Sequence, residues 1–255
     1  PGREVVRVLA GLRLAVAFLT VIPVPPTASI TRPVARAAML LGWLAVAPVA
    51  LAAAALGWAG TALGLPSALA GALVVGGLAL GTRAMHLDGL ADTVDGLGSG
   101  EDREKALRVM RSGDVGPMGV VALVLVVLAQ AVGFGAVLER PGGWLLATGL
   151  VCGSRAALAI GCATGVPAAR PDGLGALFAS VVPVPAVGVL WSFVGVGLAG
   201  LGSTVGLPWW QGAVAAVAAL LVSLGLLRRC VQRFGGTSGD VLGALVEASL
   251  TGLVV

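Results

Sequence analysis

The hydrophobic pattern of this chain is one of long blocks. Apolar runs lie near 34–55, 66–85, 117–138, 143–164, 182–202 and 208–227, with a shorter run over 241–255, and polar links separate them. Runs of about 20 apolar residues are long enough to cross a hydrocarbon core of ~30 Å as helices. Residues 3–20 differ: arginines run along one side of an apolar stretch, the pattern of a helix lying in the membrane interface. The prolines of IPVPP at 22–26 stop it, because proline cannot continue the hydrogen-bond ladder. The expected fold is all-α. It is a polytopic membrane helical bundle of about six to seven membrane helices plus the N-terminal interfacial helix. No tandem repeat or long linker divides residues 1–255, so a single integral-membrane domain is expected.

The links alternate between charged and uncharged. Arg32 and Arg36 precede the first run, and the link near 56–65 carries no charge. The long stretch 86–116 holds Arg103, Lys105, Arg108 and Arg111, whereas 139–142 has one Glu and one Arg. Arg170 lies in the 165–181 link, the link near 203–207 is uncharged, and Arg228, Arg229 and Arg233 fall in 228–240. The positive-inside rule then assigns the N-terminus and the links 86–116, 165–181 and 228–240 to the cytoplasm. Nearly all distinctive polar residues sit in those links. This one-sidedness suits a plasma-membrane enzyme working on cytoplasmic substrates better than a transporter, which needs polar groups near the bilayer midplane.

Composition agrees. The chain is 58% hydrophobic and only 11% charged, against roughly 25% charged in soluble domains. Its 40 glycines read as close helix packing in lipid. The net charge of +4 follows topology and does not indicate nucleic-acid binding. Cys152, Cys162 and Cys230 match no metal or redox spacing and read as small apolar fillers.

Chemistry concentrates in HLDGLADTVDG, residues 86–96. Asp88, Asp92 and Asp95 recur at i, i+4 and i+7, so a helix would place all three carboxylates on one face. Like charges so spaced repel, and no basic residue stands among them. A divalent cation is the natural compensator, and an all-oxygen set points to Mg²⁺ or Mn²⁺. His86 reads as a general base, a phosphate donor or a packing residue. The segment 101–111 reads as a short amphipathic helix whose cations, Arg111 among them, either meet phosphate oxygens or mark the interface. Asp114 is a further ligand or a turn former.

A second cluster is RFGGTSGD, 233–240. Gly235 and Gly236 leave backbone N–H groups free to face an anion, Thr237 and Ser238 add hydroxyls, and Asp240 adds a carboxylate. Glu247 lies two turns on along the same helical face. The alternative is a tight turn between two helices. Arg170 in ARPDGLG (169–175) belongs to a loop glycine-rich enough to close over a substrate. Arg155, inside an apolar run, needs a partner or a polar pocket.

These residues resemble the cobalamin synthase family. AFLTVIPVP (17–25), HLDGLADTVDG (86–96), SRA (154–156), ARPDGLGALF (169–178) and RFGGTSGDVLGALVE (233–247) resemble its motifs in order and spacing. One departure is Met110-Arg111-Ser112-Gly113-Asp114, where the family often has Met-Lys/Arg-Asp-Ser-Arg. The resemblance implies a transferase of cobalamin biosynthesis. It condenses adenosylcobinamide-GDP with α-ribazole or its 5′-phosphate, uses Mg²⁺ and releases GMP, with the corrinoid as substrate. It also implies roles: Asp88, Asp92, Asp95 and Asp240 hold metal, and Asp92, Asp95, His86 and Asp240 are candidate catalytic groups. Arg155, Arg170, Arg111, Gly235, Gly236 and Thr237 hold substrate. Expected partners are the two substrates and the lipid bilayer, with no nucleic acid; a homo-oligomer is compatible with the sequence. A lipid head-group enzyme of the CDP-alcohol phosphotransferase type is the alternative, but its D-G-x-x-A-R pattern is absent, since Asp88-Gly89 is followed by Leu90-Ala91-Asp92. A small-solute transporter is the more distant one.

Overall fold

The computed structural model describes residues 2–100 and 102–255, and the side chains from residue 4 onward apart from residue 101. It is helical throughout, with two isolated bridges, Ala163 to Val182 and Ala168 to Thr237, among the described residues. In chain order the helices are α1 (Gly2–Leu19), α2 (Arg32–Leu40), α3 (Gly42–Ala62), α4 (Ser67–Gly81), α5 (Met85–Gly98), α6 (Arg103–Val109), α7 (Pro117–Leu138), α8 (Gly143–Ser154), α9 (Ala156–Gly161), α10 (Gly173–Phe178), α11 (Val184–Thr204), α12 (Trp209–Phe234) and α13 (Gly239–Val254).

Five stretches are long and apolar enough to span a membrane: α3, α7, the α8–α9 pair, α11 and α12. Their outward faces carry exposed side chains such as Val196 (75%) and Leu221 (62%). Such surface suits lipid, whereas in water contiguous apolar patches of this kind promote association. The α4–α5 pair counts as a sixth span only if taken together, and the two helices are bent 92° from each other. The bend falls on Arg83 (φ 57°) and Ala84 (φ 53°). For residues with a Cβ the left-handed region costs about 1–2 kcal/mol each, so the packing beyond the elbow must hold it. α4 alone has 15 residues, and α5 turns away at right angles to it. We therefore read α5 as lying outside the spanning set.

The 86–116 stretch carries the acidic helix and the short amphipathic helix read from the sequence, as α5 and α6. One sequence expectation changes here. The final apolar segment is α13, at 16 residues too short for a span, with most of its length buried. It packs against α5, α7, α8, α9 and α12 and so forms the centre of the bundle. The arginines Arg7 and Arg13 of α1 are exposed as an interfacial helix requires, while the side chain of Arg3 lies outside the described residues.

The contact that matters for chemistry is α5 on α13. A Cβ at Gly89 would sit 2.7 Å from the backbone oxygen of Asp240, and one at Gly243 would sit 3.2 Å from the Cα of His86. Glycine on both helices lets the backbones meet, which sets the acidic face of α5 against the start of α13.

Candidate active site

The three carboxylates of α5 do not share one fate. Asp88 is exposed, Asp92 is half-buried and Asp95 is 8% exposed. Asp95 turns away from the other two in function. Its Oδ2 accepts from the Gly116 N–H at 2.7 Å and its Oδ1 from the Gly119 N–H at 2.8 Å. These are the orphan donors at the start of α7, where a carboxylate is favoured by both hydrogen bonding and the helix dipole. A Cβ at Gly116 would come within 2.5 Å of the carboxylate, so glycine is required beside it. Asp95, expected among the metal and catalytic groups, thus anchors α7 to α5, with each oxygen accepting a backbone N–H.

Asp92 does face its neighbours. Its carboxyl is raised to about 6, first by burial and then by the like charges of Asp88, Asp240 and Asp95, partly offset by Arg170. Asp240 is also raised, mainly by burial, with Arg170 and the Ser238 hydroxyl pulling the other way. Arg170 Nη2 stands 3.4 Å from Asp240 Oδ2, and Ser238 Oγ donates to the same oxygen at 3.2 Å. Ser238 also caps α13 by accepting from the Val241 N–H at 3.2 Å, which fixes the first turn that carries Asp240. Beside these groups lies a cavity of about 250 Å³, lined by Arg170, Leu174, Thr237, Ser238 and Asp240 among others. Arg170 Nε and Thr237 Oγ1 are buried without a hydrogen-bond partner, so two donors remain for a ligand.

The structure tests a Mg²⁺ ion through this donor set. Among the described residues no three Asp, Glu, His or Cys side chains are grouped closely enough to hold an ion by themselves. Mg²⁺, however, is commonly held by one or two carboxylates, with substrate phosphates and water completing its shell. Asp88 and Asp92 fit that mode, because the mutual repulsion that raises Asp92 is what a cation would relieve.

Other expected site residues are placed differently. The Gly235–Gly236 turn is not an open anion nest. Gly235 (φ 82°) closes α12 in a left-handed cap, and the guanidinium of Arg103 lies over it. The Thr237 N–H donates to Pro167 O at 2.8 Å, and Thr237 O accepts from the Ala169 N–H at 2.8 Å. This pairing aligns the 167–170 segment with the start of α13 and delivers Arg170 to Asp240. Of the three residues, only Thr237 lines the cavity. Arg111 pairs with Asp172 at 3.3 Å, both exposed, a contact of about 0–1 kcal/mol. Asp114 is exposed and makes a turn contact to Ser112.

Arg155 is 1% exposed and lies inside the bundle, where it donates to Ser154 Oγ at 2.7 Å. Glu247, expected along the face of Asp240, is buried with it and accepts from Gln130 Nε2 at 2.8 Å. They line a separate space of only 10 Å³, and Arg155, expected to hold substrate, does not line the cavity beside Asp240. His86 is 3% exposed, and both its ring nitrogens lack partners; burial and then Arg155 lower its pKa, leaving it neutral. Sequence reasoning missed Arg103, which donates to Phe234 O at 2.7 Å and Ala169 O at 3.1 Å and joins the two loops. Nothing in its local pattern sets it apart from its basic neighbours.

A family described as "Cobalamin-5-phosphate synthase" matches residues 11–255. The chain belongs to the cobalamin-5-phosphate synthase family. Among its relatives is a protein of Nocardioides sp. named adenosylcobinamide-GDP ribazoletransferase, 46% identical over 93% of both chains. Proteins of the same name from Bradyrhizobium diazoefficiens (36% identical, covering 97% of this chain and 93% of the relative) and Pseudomonas entomophila (41%, covering 75% and 78%) are also similar. No solved structure matches the chain. Within this cobalamin-5-phosphate synthase family member, the acidic helix and the 233–240 loop, about 150 residues apart in sequence, thus pack together beside that cavity.

Proposed function

We propose that this chain is an adenosylcobinamide-GDP ribazoletransferase. It joins adenosylcobinamide-GDP to α-ribazole or its 5′-phosphate and releases GMP. The observation that carries the mechanism is the packing of α5 on the start of α13, which brings Asp92 within electrostatic reach of Asp88, Asp240 and Arg170, beside the cavity that Asp240 and Arg170 line. A ribose hydroxyl of the acceptor attacks the phosphorus that bears the cobinamide. The new P–O bond forms as the bond to the GMP oxygen breaks, and the hydroxyl proton passes to the Asp240 carboxylate. A carboxyl raised toward neutrality is a better general base than an ordinary one, and burial raises Asp240 in this way. Arg170 holds the phosphoryl oxygens through its free Nε, and Thr237 adds a hydroxyl. Asp88 and Asp92 would hold Mg²⁺, which when bound supplies positive charge to the phosphates. The cavity faces the cytoplasm of the plasma membrane, on the side of the basic links.

GMP release across a Mg²⁺ titration tests this reading. Asp88→Asn and Asp92→Asn should raise the Mg²⁺ requirement at least tenfold, and Asp240→Asn should lower kcat by about 10²–10⁴. Parent-like turnover by all three would overturn it.

A further inference from the structure

A smaller cavity of about 90 Å³ adjoins the first and shares Leu174, Gly239 and Asp240 with it. Its walls are otherwise different. Phe18 of α1, Met85 of α5, Leu158 of α9 and Leu242 of α13 make it largely apolar, with Asp88 and Asp240 at one side and no cation in the lining. His86 lines it as well, buried and with both nitrogens unsatisfied. A buried imidazole without partners has lost its water and gained nothing in return, and a ligand in this space can supply the missing bond.

Resting on the proposed transferase reaction, we infer that this smaller cavity is the acceptor subsite, which seats the flat aromatic base of the incoming nucleoside. Size argues for it: the volume is that of about six waters, the scale of one planar ring system and far below that of a corrin or a whole nucleotide. Charge argues for it too. The smaller cavity has no arginine or lysine in its lining, whereas Arg170 lines only the larger one. A neutral base therefore goes to the smaller space and the phosphates to the larger. The ribose then crosses the Leu174–Gly239–Asp240 wall, which brings its hydroxyl to the proposed base Asp240. His86, with both ring nitrogens unsatisfied in this wall, can bind a ring nitrogen of the base. Phe18, already packed on Phe178 with ring centroids 5.7 Å apart, gives it an aromatic wall. The interfacial helix α1 thereby contributes directly to substrate recognition.

The test uses the full chain in phosphatidylcholine nanodiscs with Mg²⁺, varying acceptor and donor separately while GMP is measured. Phe18→Ala and His86→Gln should each raise the acceptor KM at least tenfold and leave the donor KM within twofold. Leu174→Trp, at an exposed rim position that keeps the fold, should narrow the mouth and do the same. Equilibrium dialysis with free 5,6-dimethylbenzimidazole as probe should show binding by the parent and loss of it in Phe18→Ala. Unchanged acceptor KM, a rise confined to the donor KM, or no probe binding by the parent overturns the subsite, the first being the result expected if the cavity holds lipid. Probe binding lost in Phe18→Ala, but without GMP release by the parent, supports the subsite while sinking the transferase reading.

Discussion

Asp95→Asn and Asp92→Asn should fail in opposite ways, although the two residues lie one turn apart on the same helix. Asp95 accepts two backbone N–H groups at 2.7 and 2.8 Å at the start of α7. Asparagine keeps one acceptor and turns its amide against the other N–H. The loss is one charge-assisted bond, at about 1.5–3 kcal/mol, together with an unsatisfied buried donor. A net destabilisation of about 3 kcal/mol is expected. Asp92→Asn instead removes a charge that burial and like neighbours already disfavour, so stability should hold or rise. The assay pairs thermal unfolding in detergent with the Mg²⁺ dependence of GMP release. Asp95→Asn should melt earlier, with its Mg²⁺ half-saturation near the parent value, and the Gly116 and Gly119 amides should lose exchange protection. Asp92→Asn should keep its melting temperature and lose Mg²⁺ response. If Asp95→Asn melts like the parent and shifts Mg²⁺ half-saturation as far as Asp92→Asn, Asp95 is a metal ligand and the anchoring role is wrong.

Gly89→Ala places a methyl 2.7 Å from the Asp240 backbone oxygen; overpacking of this kind costs about 1–3 kcal/mol, and turnover should fall more than folding does, as GMP release and unfolding measured together would show. The Asp92 carboxyl is raised to about 6, so its protonated form favours the metal-free fold below the ordinary carboxylate range, and that contribution is lost as pH rises through about 6. Mg²⁺ should therefore raise the melting temperature more at pH 7.5 than at pH 5, read by differential scanning fluorimetry. Arg155→Ala removes the buried donor to Ser154 Oγ and should cost about 1–3 kcal/mol of stability; donor KM measured on whatever folds should remain near the parent value. Arg170→Ala should do the reverse, raising donor KM at least tenfold with little change in melting, as steady-state kinetics would record.

The spanning helices were legible because run length alone decides them: α7, α11 and α12 fall where the apolar blocks do, whereas the first block, read at 34–55, is divided between α2 and α3, and α3 runs on through the expected link to Ala62. The right-angle elbow at Arg83 and Ala84 was not, since neither residue favours positive φ and only the packing beyond it selects the turn. For the site, the acidic motif and the 233–240 motif were both visible in the sequence, and the packing of α5 on α13 sets Asp92 near Asp240 and Arg170. Spacing on α5 could not separate Asp95 from its neighbours, because what distinguishes it is the N-terminus of another helix. The Gly235–Gly236 turn misled for a similar reason: its free N–H groups looked available, but a segment about 70 residues earlier in the sequence packs against the turn. Arg155 and Glu247 were read by their local faces, and each found its surroundings in the bundle centre instead.

The α5–α13 crossing also bears on how the enzyme comes into being. Half of the reactive constellation is translated about 150 residues before the other half, and only an insertion event at the bundle axis unites them. Ribosome-bound intermediates ending before residue 239 should thus carry Asp88 and Asp92 at the membrane surface yet be catalytically silent. Supplying the missing helix as a separate peptide is the natural route to switching such a fragment on.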